Sequence, residues 1–526
     1  MSLYPALASA RRTRFALTIT RVRAAYRVAP LLSMVPFAAL LFWTLGVRHF
    51  DGLFGQDPYA YFDYSVGPMR RFLQSGALLP SFYWPLGYPL AAGLAALLLG
   101  GSHLATQAVS LTTGAACVLL TYLLAMEALR ARCVPRPERS AAAALAALTF
   151  GAGGYLVESS VVAMADSAAL AATLLSAVAL LRAGRAENDR SAYLWTGLCG
   201  AALAYAVVTR WGQAWLAPVW LVAAVGATPR RPANPGRRLL AASIAALAIL
   251  LPQLWLAAVT PRGAVRPRAF MGDFGGAGST WQLRHLLERT FTNSDGTFHY
   301  ALPNLLYYAS GPFRSMYLTP LILPALVLGA LQLRRLEASA VALLTLWPGT
   351  LLLVDGGLAW QDPRFILMAV PPLAIVSGFG FAVALARWPA WRGILLLLIA
   401  VTTLAIAGGA ARGLDRLIAS SRADLQVAAW THDRLPSQYT LLSFEITETL
   451  QHHGVEAREL SALAPAQLDR LVSRQSDVFL LVRPSTVTGQ AQFLNPGRDF
   501  VTLSATKRLR AVGTLDGYTL YRVKRR

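Results

Sequence analysis

Acidic residues are scarce in the apolar part of this chain, so each one asks for a reason. Asp57 stands in Gly55-Gln56-Asp57-Pro58-Tyr59-Ala60-Tyr61-Phe62-Asp63-Tyr64, just beyond the first long apolar run. A carboxylate in such an aromatic setting can take a proton from a hydroxyl or amine acceptor. The same residue could cap a helix opening at Pro58, because Asp before Pro is a common helix start. The two roles are compatible. Glu158 and Asp166 form a second acidic group, eight residues apart. Asp166 could cap a helix starting at Ser167, and Glu158 could be solvated. Alternatively both face Asp57 across a shared cavity, where carboxylates could hold a divalent cation or orient an acceptor. That cation is the one cofactor the residues raise.

Two arginines stand at comparable positions, Arg210 in Thr209-Arg210-Trp211 and Arg364 in Gln361-Asp362-Pro363-Arg364-Phe365. A guanidinium fork suits a phosphate, although arginines at helix ends also serve as interfacial anchors. His103, His285 and His299 lack HxxxH or HxxE spacing, so no histidine metal site is expected. His452 and His453 are adjacent on a helix expected to be solvated. Gly272–Gly278 lacks the strand and lysine of a phosphate-binding loop and reads as a loop. Cys117, Cys133 and Cys199 have no CxxC spacing, which argues against a disulfide framework or a thiolate metal site.

The elements that must position these residues are membrane helices. Of 526 residues 55% are hydrophobic and 14% charged, against about 25% charged in soluble domains. The net charge of +22 fits basic loops facing anionic lipid. No nucleic-acid-binding motif accompanies it. Apolar runs near 28–47, 104–129, 140–157, 165–183, 191–208, 212–228, 238–259, 316–333, 338–354, 365–386 and 391–411 predict eleven spans. The first run is long enough to span and lacks the small-residue cleavage site of a signal peptide.

A shorter run, 86–100, is framed by Pro85, Pro89, Gly100 and Gly101. Charge decides its place. With 86–100 lying at the outer interface, the tail 1–27 with its Arg11, Arg12, Arg14, Arg21, Arg23 and Arg27 is cytoplasmic. So are the loops carrying Arg130/Arg132/Arg136/Arg139, Arg182/Arg185/Arg190, Arg230/Arg231/Arg237/Arg238, Arg334/Arg335 and Arg387/Arg392. A short tilted span at 86–100 would put all of these loops outside. The expected organisation is therefore a basic cytoplasmic tail, a membrane domain over 28–411 with outer loops 48–103 and 260–315, and an outer domain over 412–526. That last region alternates short β-rich runs (439–444, 477–482, 518–523) with helix-like stretches (445–453, 464–473). The pattern predicts a small α/β domain with a mostly parallel sheet.

These pieces resemble the GT-C glycosyltransferases, in particular the bacterial relatives of protein O-mannosyltransferases and of the lipid A aminoarabinose transferase (glycosyltransferase family 39 and its neighbours). The resemblance rests on Asp57 after the first span and on Tyr83-Trp84-Pro85-Leu86-Gly87-Tyr88-Pro89-Leu90, similar to a Pro-Pro-x-Tyr stretch before an interfacial helix. It continues with Asp166 heading a Leu/Ala-rich span, Thr209-Arg210, and Arg364-Phe365 with Pro371-Pro372. It covers most of the membrane half, through motifs whose order and sidedness are more specific than any one alone. Leu86 stands where many members have a second proline. Tyr83 and Trp84 replace the acidic and basic pair of the aminoarabinose transferases, and Pro58 breaks the Asp-Glu pair of the protein mannosyltransferases.

The resemblance implies a polytopic α-helical membrane enzyme of GT-C type with a soluble C-terminal α/β domain. It implies transfer of a sugar from a polyprenyl-phosphate donor, with inversion, at the outer face of a bacterial inner membrane. Asp57 would be the base and Asp166 a second site acid. Glu158, Arg210, Arg364, Tyr61 and Tyr88 would bind substrate. Partners would be the lipid-linked donor, membrane lipid, and an acceptor protein, lipid or glycan. A secondary transporter is the main competing class, but it would tend to show repeated halves and midplane helix breaks. A lipid-linked glycan ligase or flippase component would share the donor without needing Asp57 as a base.

Overall fold

A computed structural model of the chain describes residues 28–526 apart from 81, 83, 131–133, 227–233, 260–280, 294–295, 461–462, 464, 476, 490, 507 and 525–526. The tail arginines, Tyr83, Arg132, Cys133, Arg230, Arg231 and Gly272–Gly278 lie outside the described residues.

Among the described residues eight helices are long and apolar enough to cross a membrane: Val28–Val47, His103–Ala128, Asp166–Gly184, Asp189–Thr209, Pro235–Trp255, Ala338–Gly356, Pro363–Arg387 and Pro389–His432. A ninth crossing is formed if Arg136–Gly151 and Gly154–Val161, bent by 63° at their junction, count as one. These helices alone do not confirm the expected eleven spans. The run at 212–228 becomes a 3-10 turn, Trp211–Leu216, followed by the nine-residue helix Ala217–Val225. The run at 316–333 yields only the ten-residue helix Leu323–Gln332 behind a turn at Thr319. Prolines at 218, 320 and 324 explain the breaks, since each removes a backbone donor and fits only a first helical turn. Gly87–Leu99 is a thirteen-residue apolar helix, too short to span upright.

Small residues let these helices approach closely. A Cβ on Gly200 would stand 2.3 Å from the Ala242 carbonyl oxygen, and one on Gly380 would strike that of Ala325. Charges gather at the two ends of the bundle. At one end, Glu127 accepts from Arg182 Nε at 3.0 Å and Arg185 Nη1 at 3.1 Å, and Arg185 also holds Glu337 at 2.6 Å. Arg182 closes the helix that Asp166 opens. Sixteen residues of rise place those ends about 24 Å apart.

The helix Arg392–His432 runs for 41 residues without a break, about 60 Å. That is roughly twice the hydrocarbon core, so it leaves the bilayer and enters the C-terminal domain. It also crosses the expected boundary at 412. The domain's five-stranded sheet uses β3 (Thr440–Ser443), β4 (Ala457–Glu459), β5 (Val478–Val482), β6 (Leu509–Leu515) and β7 (Tyr518–Val523) in the order β4-β3-β5-β7-β6. Two pairings are parallel and two antiparallel, so the sheet is mixed instead of mostly parallel.

Alternate residues of the strands serve two cores. Leu441, Phe479 and Leu481 pack with Val427 and Ala428 of the long helix. Leu442, Leu480 and Val482 pack with Leu468, Val472, Phe500 and Leu503. A separate antiparallel hairpin, β1 (Thr290–Asn293) with β2 (Gly296–His299), touches the domain where Thr297 N–H donates to the Phe493 carbonyl at 3.2 Å.

Candidate active site

Four helix ends converge on one polar cluster. The first is the start of Gln56–Tyr64. Its cap is Gly55, at φ +74° and ψ −179°, a conformation that essentially only glycine adopts. Asp57 is therefore not the cap. It lies in the first turn, with its carboxylate directed outward from the helix. Arg364 Nη1 donates to Asp57 Oδ2 at 2.7 Å. The Asp57 side chain is 29% exposed, within reach of a substrate.

The second helix end is Pro363–Ile366, with Asp362 as cap and Pro363 in the first position. Asp362 Oδ1 accepts from the Arg364 backbone N–H at 2.8 Å. Asp362 Oδ2 accepts from Arg364 Nε at 3.0 Å and from Nη2 at 2.9 Å. Burial pushes the Asp362 carboxyl up, but the Arg364 charge and hydrogen bonds, joined by Arg210, hold it below the ordinary aspartate value. Arg364 is thus fixed on Asp362 and offers its remaining face to Asp57.

The third and fourth ends bring Arg210 to Asp166. The helix Asp189–Thr209 stops at Arg210, whose backbone turns extended. Its guanidinium pairs with Asp166 and lies 4.9 Å from the centre of the Phe365 ring. Asp166 begins its helix behind the cap residue Ala165, so it is not the cap expected from sequence. It is buried. Gly87 lets the next element close over this junction: its Cβ would lie 2.6 Å from the Val208 carbonyl oxygen.

Glu158 is partly exposed and lies within electrostatic reach of Arg364 and Asp362. Tyr61 is buried and stacks on Trp84 with ring centres 5.0 Å apart. Burial, and then the Asp57 charge, push its hydroxyl well above the usual range, so it stays protonated. Tyr88 differs from expectation. It is fully buried behind Tyr61, donates to the Thr106 carbonyl at 2.9 Å and shares a hydrogen bond with Ser110. Its hydroxyl is committed to packing this wall.

The three expected acids do not meet one another. Asp57 and Asp166 each meet an arginine instead, and among the described residues no group of three His, Cys, Asp or Glu could hold a metal ion. A divalent cation does not fit this donor set, and the positive charge of the cluster comes from Arg210 and Arg364. Asp362 was not among the residues expected to serve the site. The Asp-Pro pair that opens its helix was the available signal.

The architecture is the GT-C fold. It is similar to ArnT from Cupriavidus metallidurans solved bound to undecaprenyl phosphate. That likeness has a TM-score of 0.61 at 15% identity and covers 94% of this chain and 97% of that one. It is also similar to the archaeal oligosaccharyltransferase AglB from Archaeoglobus fulgidus, solved with an inhibitory peptide and a dolichol-phosphate. Here the TM-score is 0.54 at 11% identity, over 92% of this chain and 72% of that one. Residues 93–259 match the dolichyl-phosphate-mannose-protein mannosyltransferase family model. No curated protein matches the sequence.

Proposed function

We propose that this protein is an inverting membrane glycosyltransferase that uses a polyprenyl-phosphate sugar as donor. The observation that carries the reading is the accessible Asp57 carboxylate held 2.7 Å from Arg364, itself locked on Asp362. An acceptor oxygen or nitrogen would attack the anomeric carbon while Asp57 takes its proton. The bond from that carbon to the phosphate oxygen would break, and the lipid phosphate would leave with the bonding pair. Arg364 and Arg210 would stabilise the charge that develops there. The arriving phosphate would compete with Asp57 for Arg364 and free the carboxylate to act as base.

Sidedness supports an outer-face reaction. Arg182, Arg185 and Arg387 end the helices opposite the cluster, and basic ends favour the cytoplasm. Undecaprenyl phosphate bound to ArnT and dolichol-phosphate bound to AglB support a lipid-phosphate donor here. Acceptor protein, lipid and glycan remain the candidate classes, and a bacterial inner membrane is the proposed location.

The test is transfer from radiolabelled polyprenyl-phosphate sugars into membranes containing wild type or Asp57→Asn at equal abundance. Loss of a general base predicts a fall of about 10²–10⁴-fold. Equal transfer by both would remove Asp57 from the centre of the reaction. No transfer by well-folded wild type from any such donor would overturn the reading.

A further inference from the structure

The helix that carries Asp57, Gln56–Tyr64, runs on through a π-helical turn, Ser65–Met69, into Arg70–Ser75, and its first turns also contact the C-terminal domain. Asp57 and Tyr61 turn toward the arginine cluster, whereas Tyr59 and Asp63 turn toward the domain helix Thr447–His452 and Gln56 toward Glu459 of β4. Gln56 Nε2 donates to Glu459 Oε2 at 2.9 Å. Glu459 Oε2 also accepts from Thr447 Oγ1 at 2.7 Å. At the far end, His452 Nδ1 stands 3.2 Å from Asp63 Oδ1. The rings of Tyr59 and Phe62 pack on His452 at 5.0 and 5.4 Å. Behind these contacts, Ser421 of the long helix donates to the Leu53 carbonyl at 3.2 Å, on the loop leading to Gly55.

A π-helical turn, Ser65–Met69, interrupts the regular helix just beyond Tyr64, and at the other end the chain enters through Gly55 at positive φ. On the membrane side the Tyr64 hydroxyl donates to the Pro80 carbonyl at 2.7 Å, and the polar contacts of Gln56 and Asp63 come from the domain.

We infer that the C-terminal domain is a positioning element for Asp57, with His452 on Asp63 and Glu459 on Gln56 holding the Gln56–Tyr64 helix so that Asp57 meets Arg364. The inference rests on the proposed role of Asp57, and it gives the domain a function in the chemistry of the membrane half. His452 makes the grip depend on pH. Its hydrogen bond to Asp63 raises its pKa against the opposing effect of burial, and the charges of Asp63 and Asp51 add to the rise. His453, Tyr59 and Glu448 complete the titratable surroundings. The His452–Asp63 pair is therefore fully present below the ordinary histidine value. It weakens as the pH rises through the raised one.

The experiment uses the full-length protein in nanodiscs and two readouts. Hydrogen–deuterium exchange of the 56–64 amides should rise in His452→Ala and in Asp63→Asn, while amides of β5 stay protected as a check on domain folding. Sugar transfer should fall in kcat by about 10-fold to 100-fold with little change in donor KM. His452→Lys, which keeps a cation at neutral and mildly alkaline pH, should restore turnover and flatten the alkaline loss expected of wild type. Unchanged 56–64 exchange in both weakened variants would overturn the positioning role. So would a kcat equal to wild type across the pH range. If exchange responds but wild type transfers no sugar, the grip stands and the proposed reaction fails.

Discussion

Arg364 donates to two carboxylates at once, and its contacts with them are unequal. Asp362 takes the backbone N–H and two guanidinium nitrogens, whereas Asp57 takes one. Removing Asp362 should free Arg364 to collapse onto Asp57. Asp362→Ala is expected to lower transfer by at least about tenfold, with a cap loss of about 1 kcal/mol in stability. Parallel activity and thermal-unfolding measurements would separate the two effects. The sign with pH follows from the depressed folded pKa of Asp362. Its contribution is full above the unfolded aspartate value and is lost as pH falls through the folded one. Wild type should lose more stability than Asp362→Asn over that acidic window in detergent melting experiments. Asp57, Asp166, Arg210 and Arg364 were legible in the sequence because charge is costly in an apolar chain. The misreadings were local. The Asp-Pro cap rule holds at Asp362-Pro363, but at Asp57-Pro58 the preceding Gly55 takes the cap and leaves the carboxylate for Arg364.

Helix ends, more than helix faces, build this site, so the contacts that set their heights matter. Gly87 sits where the helix Gly87–Leu99 meets the end of Asp189–Thr209. A methyl there would lie 2.5 Å from Thr209 Oγ1 and 2.6 Å from the Val208 carbonyl. Gly87→Ala must displace that backbone one residue before Thr209, whose successor is Arg210. We expect a stability loss of about 1–3 kcal/mol and a fall in transfer larger than stability explains. Thermal melting beside an assay at low temperature would show it. The sequence disclosed most long helices through continuous apolar runs, and β3, β5 and β7 through β-rich clusters. It did not disclose β4 or β6. β4 has three residues, too few for a pattern. β6 is an edge strand whose alternation is broken by an irregularity between Ala511 and Gly513, so its pattern does not read as a strand. Two of the expected spans, 212–228 and 316–333, are divided by prolines into shorter helical pieces, a break that composition alone does not register.

Across the whole molecule, charge is divided between two ends with apolar packing between them. The end opposite the site depends on Glu127, which is 12% exposed and serves Arg182 and Arg185. Glu127→Ala would leave those arginines facing one another with Glu337 as the remaining partner of Arg185. A destabilisation of about 3 kcal/mol is expected, with donor affinity unchanged because the site lies about 24 Å away along the helix. A lowered melting temperature with normal donor binding would bear this out; a changed donor affinity would show that the two ends communicate.

The unbroken helix from Arg392 to His432 has one more consequence. With no break between bilayer and sheet, the domain cannot swivel independently of the span beneath it. Gly409 and Gly413 let Ser315 and Met316 lie directly against that helix, and Tyr317 next to them donates to the Pro363 carbonyl. Bilayer thickness sets the tilt of a long span, and here tilt is carried to the neighbour of Arg364. Bilayers of different thickness are therefore expected to shift the Asp57–Arg364 contact, and sugar transfer measured in thin and thick bilayers would register it.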